Sequence, residues 1–242
     1  MSLSARAAGH RAAAPGVCAA LLLLAWSIPG CRDSTEPESP AGGFSFAMTF
    51  TPGAVYEYTI WQLDRYGYRV PSSAASRSWS VVEVGARREG YDDVTLVVDQ
   101  IEGSTPDTLM LRCLSSGDVY QHGYLARMMA KLYGETVTPE WDLLAAFSRG
   151  KVASWTVGEL DSQGVQRVTG QCYGDELLFE VTVNGTVEVA PAIRVYHTGD
   201  RLDASLWLAD APASFLQLRE EQFPPTGPVY GTVSDLRSVS LP

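Results

Sequence analysis

The sequence predicts a mainly β domain: a large curved antiparallel sheet or open half-barrel of roughly ten strands, with one or two covering helices. Three observations carry this prediction. Segments of alternating polarity, rich in β-branched and aromatic residues, recur from residue 55 to residue 239 with turn residues between them. The pair Asn184-Gly185 joins two of them, and Asn-Gly suits the positive φ angles of a type I′ hairpin turn. Only two stretches, near residues 124–133 and 138–147, carry a helical period instead.

The chain opens outside this pattern. Met1 to Arg11 holds Arg6, His10 and Arg11 and no acid, and the apolar stretch Val17 to Ile28 follows. Spanning a bilayer takes about 20 apolar residues, whereas a secretory h-region takes about 7–15, so residues 1–30 read as a signal peptide. At its end, Ile28-Pro29-Gly30-Cys31 resembles the lipobox of bacterial lipoproteins. The resemblance implies cleavage before Cys31, diacylglycerol on its sulfur and a further acyl chain on the new amine. Without it, the segment is an ordinary signal peptide and Cys31 is incidental. Each buried methylene contributes about 0.8 kcal/mol, so two or three chains anchor stably where one does not.

Residues 31–43 then read as the lipidated cysteine and a disordered tether. The run RDSTEPESPAGG has no large apolar side chain to offset its ordering entropy. It reaches at most about 40 Å. The residue after Cys31 is Arg32, not Asp, and by the same resemblance this favours the periplasmic leaflet of the outer membrane.

Residues 44–242 form one β-rich globular domain, long enough for a proper core. Loss of Arg6 and Arg11 with the signal leaves 16 basic against 28 acidic residues, a net charge near −12. No basic run occurs, so nucleic acid is not an expected partner. The dispersed acids also argue against direct attraction to anionic headgroups. Cys18 leaves with the signal and Cys31 carries lipid, leaving Cys113 and Cys172 in a compartment that permits disulfides. A bridge closing their loop would stabilise by roughly 4 kcal/mol; two buried free thiols are the other reading.

Along the domain the expected strands are 55–63, 78–84, 92–101, 107–114, 164–172, 176–183, 186–189, 192–198, 204–210, 214–223 and one near 229–239. In the first, Tyr56, Tyr58 and Ile60 alternate with Glu57, Thr59 and Trp61. In YLARMMAKLYG, Tyr124, Leu125, Met128, Met129 and Leu132 share one helical face while Arg127 and Lys131 face away. Gly134 takes the C′ position. The stripe is either an adaptable apolar groove or core packed against the sheet. Thr138-Pro139-Glu140 has the form of a helix N-terminus and predicts a second helix through WDLLAAF.

The succession of strands, a Trp–Leu segment (Trp141, Leu143, Leu144), SWTVG (154–158) and a late WLAD (207–210) is similar to the open-barrel lipoprotein carriers LolA and LolB. That resemblance spans most of residues 55–220. It implies a half-barrel whose helices enclose an apolar cavity for acyl chains, and it assigns no individual ligand-binding residue.

Reactive groups do not converge in the sequence. His122 and His197 form no HxxxH or HExxH pattern, which leaves a zinc site little support. His197 lies near Asp200 and Asp203, as a dyad or as a satisfied strand-end histidine. No GxSxG elbow, CxxC pair or DxDxDG loop is present. Asp92-Asp93 and Glu220-Glu221 are adjacent pairs on strands, so each pair splits between opposite faces. The expected function is therefore non-catalytic, with no cofactor and no metal. The protein is expected to be a cell-envelope lipoprotein, held to the membrane through Cys31, whose β-domain binds a protein partner. The alternative is a carrier for a lipid or other apolar ligand held between sheet and helix.

Overall fold

The computed structural model describes residues 44–134, 136–160, 166–199, 201–222 and 230–242. Within them twelve strands form one sheet: β1 (Val55–Leu63), β2 (Ala75–Arg88), β3 (Tyr91–Ile101), β4 (Asp107–Cys113), β5 (Asp118–His122), β6 (Trp141–Ala146), β7 (Val152–Leu160), β8 (Gln166–Val183), β9 (Thr186–Gly199), β10 (Leu202–Ala209), β11 (Phe215–Gln222) and β12 (Tyr230–Ser240). One α-helix, α1 (Tyr124–Tyr133), falls between β5 and β6. The strand order is β6-β5-β4-β3-β2-β1-β12-β11-β10-β9-β8-β7. The sheet is thus two six-stranded meanders joined along β1 and β12, and it curves into a partial ring.

Alternation sets which face is buried. Tyr56, Tyr58 and Ile60 of β1 point into the core, and Trp79 and Val81 of β2 continue it. The expected strands 164–172 and 176–183 are one strand, β8, bent by a bulge between Cys172 and Glu176. Likewise 186–189 and 192–198 merge as β9, because β8 pairs with both. Residues 44–50 form no ladder, yet Phe46, Met48 and Phe50 are buried in alternation across one end of the sheet. Phe46 packs on Phe147, Ala47 N–H donates to Asp210, and Phe50 packs on Tyr56.

The second expected helix is corrected to a strand. Residues 141–146 pair antiparallel with β5, from His122↔Trp141 to Asp118↔Ala146. One residue beyond that ladder the Glu140 carbonyl accepts from Gly123 N–H at 2.7 Å, so the pairing runs up to the start of α1. Local helix preference over WDLLAA yields to pairing with a neighbour that would otherwise lie unpaired. A disulfide is likewise not formed: Cys113 and Cys172 are both free. They sit on β4 and β8, which are not sheet neighbours.

The two edge strands, β6 and β7, follow each other in sequence, and no ladder joins them. Side chains close this seam. Leu143 O in β6 accepts from Trp155 Nε1 in β7 at 2.9 Å, and Leu144 O is 2.7 Å from His197 Nε2 in β9. Trp155 fits because its cross-strand partner is Gly170, where an added Cβ would meet the indole at 2.2 Å.

Candidate functional site

Helix α1 is seated by its surroundings. Gly123 before it is left-handed (φ 69°) and brings no capping side chain, so the first N–H groups need an outside acceptor. Asp142 of β6 provides one, its Oδ2 accepting from Leu125 N–H at 2.9 Å. Burial pushes the Asp142 carboxyl up to about 6, against that hydrogen bond and the Arg127 charge. On the same turn, Tyr124 Oη lies 3.1 Å from His197 Nδ1. A carbonyl can only accept, so His197 Nε2 donates to Leu144 and Nδ1 accepts from Tyr124. Burial holds the imidazole down at about 4, hence neutral at pH 7.

Beneath α1 lies a cavity of about 270 Å³. Its apolar wall includes Ile60, Trp79, Met128, Leu144, Leu206 and Leu218. Its charged groups include the Arg77–Asp99 pair at 2.6 Å and the Lys131–Glu220 pair at 3.7 Å. Arg127 also lines it and does not face away as the helical period predicts: its Nη2 is buried without a partner. The cavity is therefore mixed in character, and its volume falls just below the roughly 300–1,000 Å³ of ordinary small-molecule sites.

A second feature lies on β8. One side of β8 pairs with β9 along most of its length, from Thr169 to Val183. On the other side β7 covers residues 166–173, and β12 touches Thr182 and Val183 in parallel. Between them, residues 174–181 have no strand on that side among the described residues. Leu177 and Leu178 within this gap are 50% and 68% exposed, and Val187 and Val189 on the adjoining β9 are 64% and 59% exposed. Lys151 pairs with Glu176 at one end of the gap, and its Nζ lies 5.2 Å from the Phe44 ring. The open edge thus adjoins the point where the described chain begins.

No family profile, curated protein or solved structure matches this chain. The site readings therefore rest on the geometry alone.

Of the expected groove residues, Tyr124, Leu125, Met128 and Met129 are all buried in the main core. Tyr124 and Met128 reach the cavity, whereas Leu125 and Met129 are not in its lining. The Leu132 side chain lies outside the described residues, as do Cys31 and Asp200. His197 and Asp203 line one shallow hollow, but both imidazole nitrogens are committed to Tyr124 and Leu144. The paired acids do part company. Asp93 binds Arg112 while Asp92 is exposed, and Glu220 lines the cavity while Glu221 bonds Arg219. Burial pushes the Cys113 thiol up to about 12, and it raises Cys172 as well. Among the described residues no His, Cys, Asp and Glu cluster has the form of a metal site, and no helix is long and apolar enough to cross a membrane.

The sequence reading misses the open β8 edge and the cavity-lining positions of Trp79 and Arg127. Adjacent Leu177-Leu178 in a strand was the available signal, since one of the two must point outward.

Proposed function

We propose that this chain is a non-catalytic cell-envelope lipoprotein, anchored through Cys31, whose β-domain binds an extended segment of a partner protein along the open edge of β8. The observation carrying this reading is the gap at residues 174–181 between β7 and β12. An edge of that kind presents unpaired N–H and C=O groups in alternation, which a strand from another chain satisfies. At about 3.3 Å per residue it offers roughly 26 Å of main chain. The incoming strand brings two adjacent apolar residues, one covering Leu177 on one face and the next covering Leu178 on the other. It carries Lys or Arg opposite the exposed Glu180. The lipid or apolar-ligand alternative draws less support, because the cavity under α1 is small and, among the described residues, lined by three basic and three acidic side chains.

Hydrogen exchange tests the edge in the isolated full-length chain. Outward amides of residues 176–180 are expected to exchange fast, and to slow when a partner is reconstituted on the protein. A photo-crosslinker at Leu178 identifies that partner and the segment it contributes. Slow exchange in the isolated chain, or a partner contact that maps elsewhere, overturns the reading. The anchor has its own test: Cys31→Ser is expected to release the protein from the membrane fraction and to remove the acyl mass.

A further inference from the structure

Strands β9, β10 and β11 bury Val195, His197, Ala204 and Leu206 on one face, and their alternate residues form the outer face. That outer face carries a hollow of about 260 Å³. Cross-strand pairing gathers its walls. Thr198 stands opposite Asp203 and Tyr196 opposite Ser205, while Ser205 faces Arg219 and Asp203 faces Glu221 on β11. Four charged side chains line it, Arg194, Arg219, Asp203 and Glu221, so its formal charges balance. Arg219 and Glu221 are already matched: Arg219 donates to Glu221 at 2.7 Å and to the Gly67 carbonyl at 2.9 Å. The other two are not. Among the described residues neither Arg194 nor Asp203 has a hydrogen-bond or ion-pair partner, and they do not reach each other.

Arg194 is held in place without being used up. Its guanidinium lies 4.4 Å from the centre of the Tyr196 ring and 5.5 Å from that of Trp207. Of its three guanidinium nitrogens only Nε is cut off from solvent without a partner, so Nη1 and Nη2 are the groups a ligand reaches. The Tyr196 hydroxyl is occupied, donating to Asp175 at 2.9 Å. At the far end, burial and the facing Glu221 carboxylate push the Asp203 carboxyl up, and a cationic group beside it offsets that repulsion. From Arg194 to Thr198, the residue facing Asp203, is four steps of strand, roughly 13 Å at about 3.3 Å each. The Arg194 side chain leans back along this line, since its guanidinium sits over Tyr196.

We infer that this hollow binds an extended zwitterion of the ω-amino acid class, its carboxylate accepting from Nη1 and Nη2 of Arg194 and its ammonium donating to Asp203. A carboxylate matches the guanidinium fork, and an ammonium matches an acceptor-only carboxylate. A plain anion or a plain cation leaves one end unanswered. Ser205, between the two ends, is small and only 5% exposed, which leaves the path of the ligand clear. At about 30 Å³ per water-sized group, the hollow holds roughly nine non-hydrogen atoms, the size of ε-aminocaproate. This site does not rest on the β8-edge reading.

The probe is ε-aminocaproate, with caproate and hexylamine as single-charge controls, each titrated calorimetrically into the purified full-length chain. ε-Aminocaproate is expected to bind saturably, and each control at least about tenfold more weakly. Two variants assign the ends. Arg194→Gln is expected to bring ε-aminocaproate down to the affinity of hexylamine, and Asp203→Asn to bring it down to that of caproate. Equal affinities for the three probes mean non-specific filling and overturn the proposal. It is also overturned if ε-aminocaproate does not bind saturably, or if both variants bind it as tightly as the unaltered chain. If Arg194→Gln unfolds the chain, the order of the three probes in the unaltered protein and in Asp203→Asn, which changes an exposed side chain, decides.

Discussion

His197 of β9 donates through Nε2 to the Leu144 carbonyl of β6, 2.7 Å away, and so ties together two strands that share no ladder. Tyr124 completes the arrangement by donating to the other ring nitrogen, which binds α1 to the same point. Replacing His197 by Phe leaves a buried carbonyl and a buried hydroxyl without partners. Each such loss costs about 1–3 kcal/mol. A lower urea midpoint with an unchanged slope is the expected result.

This seam carries two opposed pH dependences. The His197 imidazole is held down at about 4, so its contribution is complete above about 6.5 and is lost as pH falls through 4. The Asp142 carboxyl is pushed up to about 6, so its contribution is complete below about 4 and is lost as pH rises through 6. Each shift corresponds to roughly 3 kcal/mol, so the two nearly cancel between pH 4 and 6. Asp142→Asn is expected to leave a stability that climbs with pH across that window. His197→Gln is expected to leave one that declines. Urea midpoints at half-unit pH steps distinguish them, and parallel profiles for all three proteins would refute the opposition.

Gly170 is the floor on which Trp155 rests. Gly170→Ala places a Cβ 2.2 Å from the indole and must displace it, breaking the bond from Trp155 Nε1 to Leu143 O. Overpacking of this kind costs about 1–3 kcal/mol. A lower Tm and a red-shifted tryptophan emission are expected together. Emission that stays put would mean that the indole does not move.

The part-buried ion pair Arg77–Asp99, with side chains 15% and 11% exposed, is expected to matter far more than the surface pairs. Asp99→Ala strands a guanidinium among Tyr58, Trp79 and Ser234, at a cost of about 3–5 kcal/mol. Arg88→Ala, which loses an exposed pair of 3.9 Å, is expected to cost under about 1 kcal/mol. Chemical denaturation of both variants checks the contrast.

Both thiols are expected to resist iodoacetamide in the folded protein at pH 8 and to react fully in denaturant. Burial raises both, Cys113 to about 12, and leaves little thiolate to attack the reagent. A tryptic peptide joining Cys113 to Cys172 would contradict the structure.

The sequence made local structure readable wherever local rules agreed with the tertiary ones. Val55–Leu63 shows this, as does the Asn184-Gly185 turn, where Asn184 takes φ 48°. Helix α1 ends as its glycine predicts, with Gly134 N–H donating to Ala130. Residues 141–146 escaped because their partner, β5, is itself only five residues long and carries little pattern of its own. The candidate sites escaped for a different reason. The gap on β8 exists only because β7 stops at Val152 and β12 arrives at Thr182, and neither distance along the chain is visible in β8 itself. Arg127 reads as solvent-facing by period, yet the long stem of an arginine lets its head be buried beside its own helix.

The strand order implies a circle. Apart from the two-residue β8–β12 contact, every sheet neighbour is also a sequence neighbour, except β1 and β12. These are the first and last strands, with Val55 opposite Ser240 and Pro242 within 4 Å of the Cβ position of Gly53. A chain cut in the turn between β6 and β7 and spliced from residue 242 to residue 44 would run as one uninterrupted meander. It would place strand pairing among short loops and lower the mean sequence separation of contacts, which speeds folding. In the native order, the long-range step is docking one arm on the other through the β1–β12 ladder, where Val55 meets Ser240.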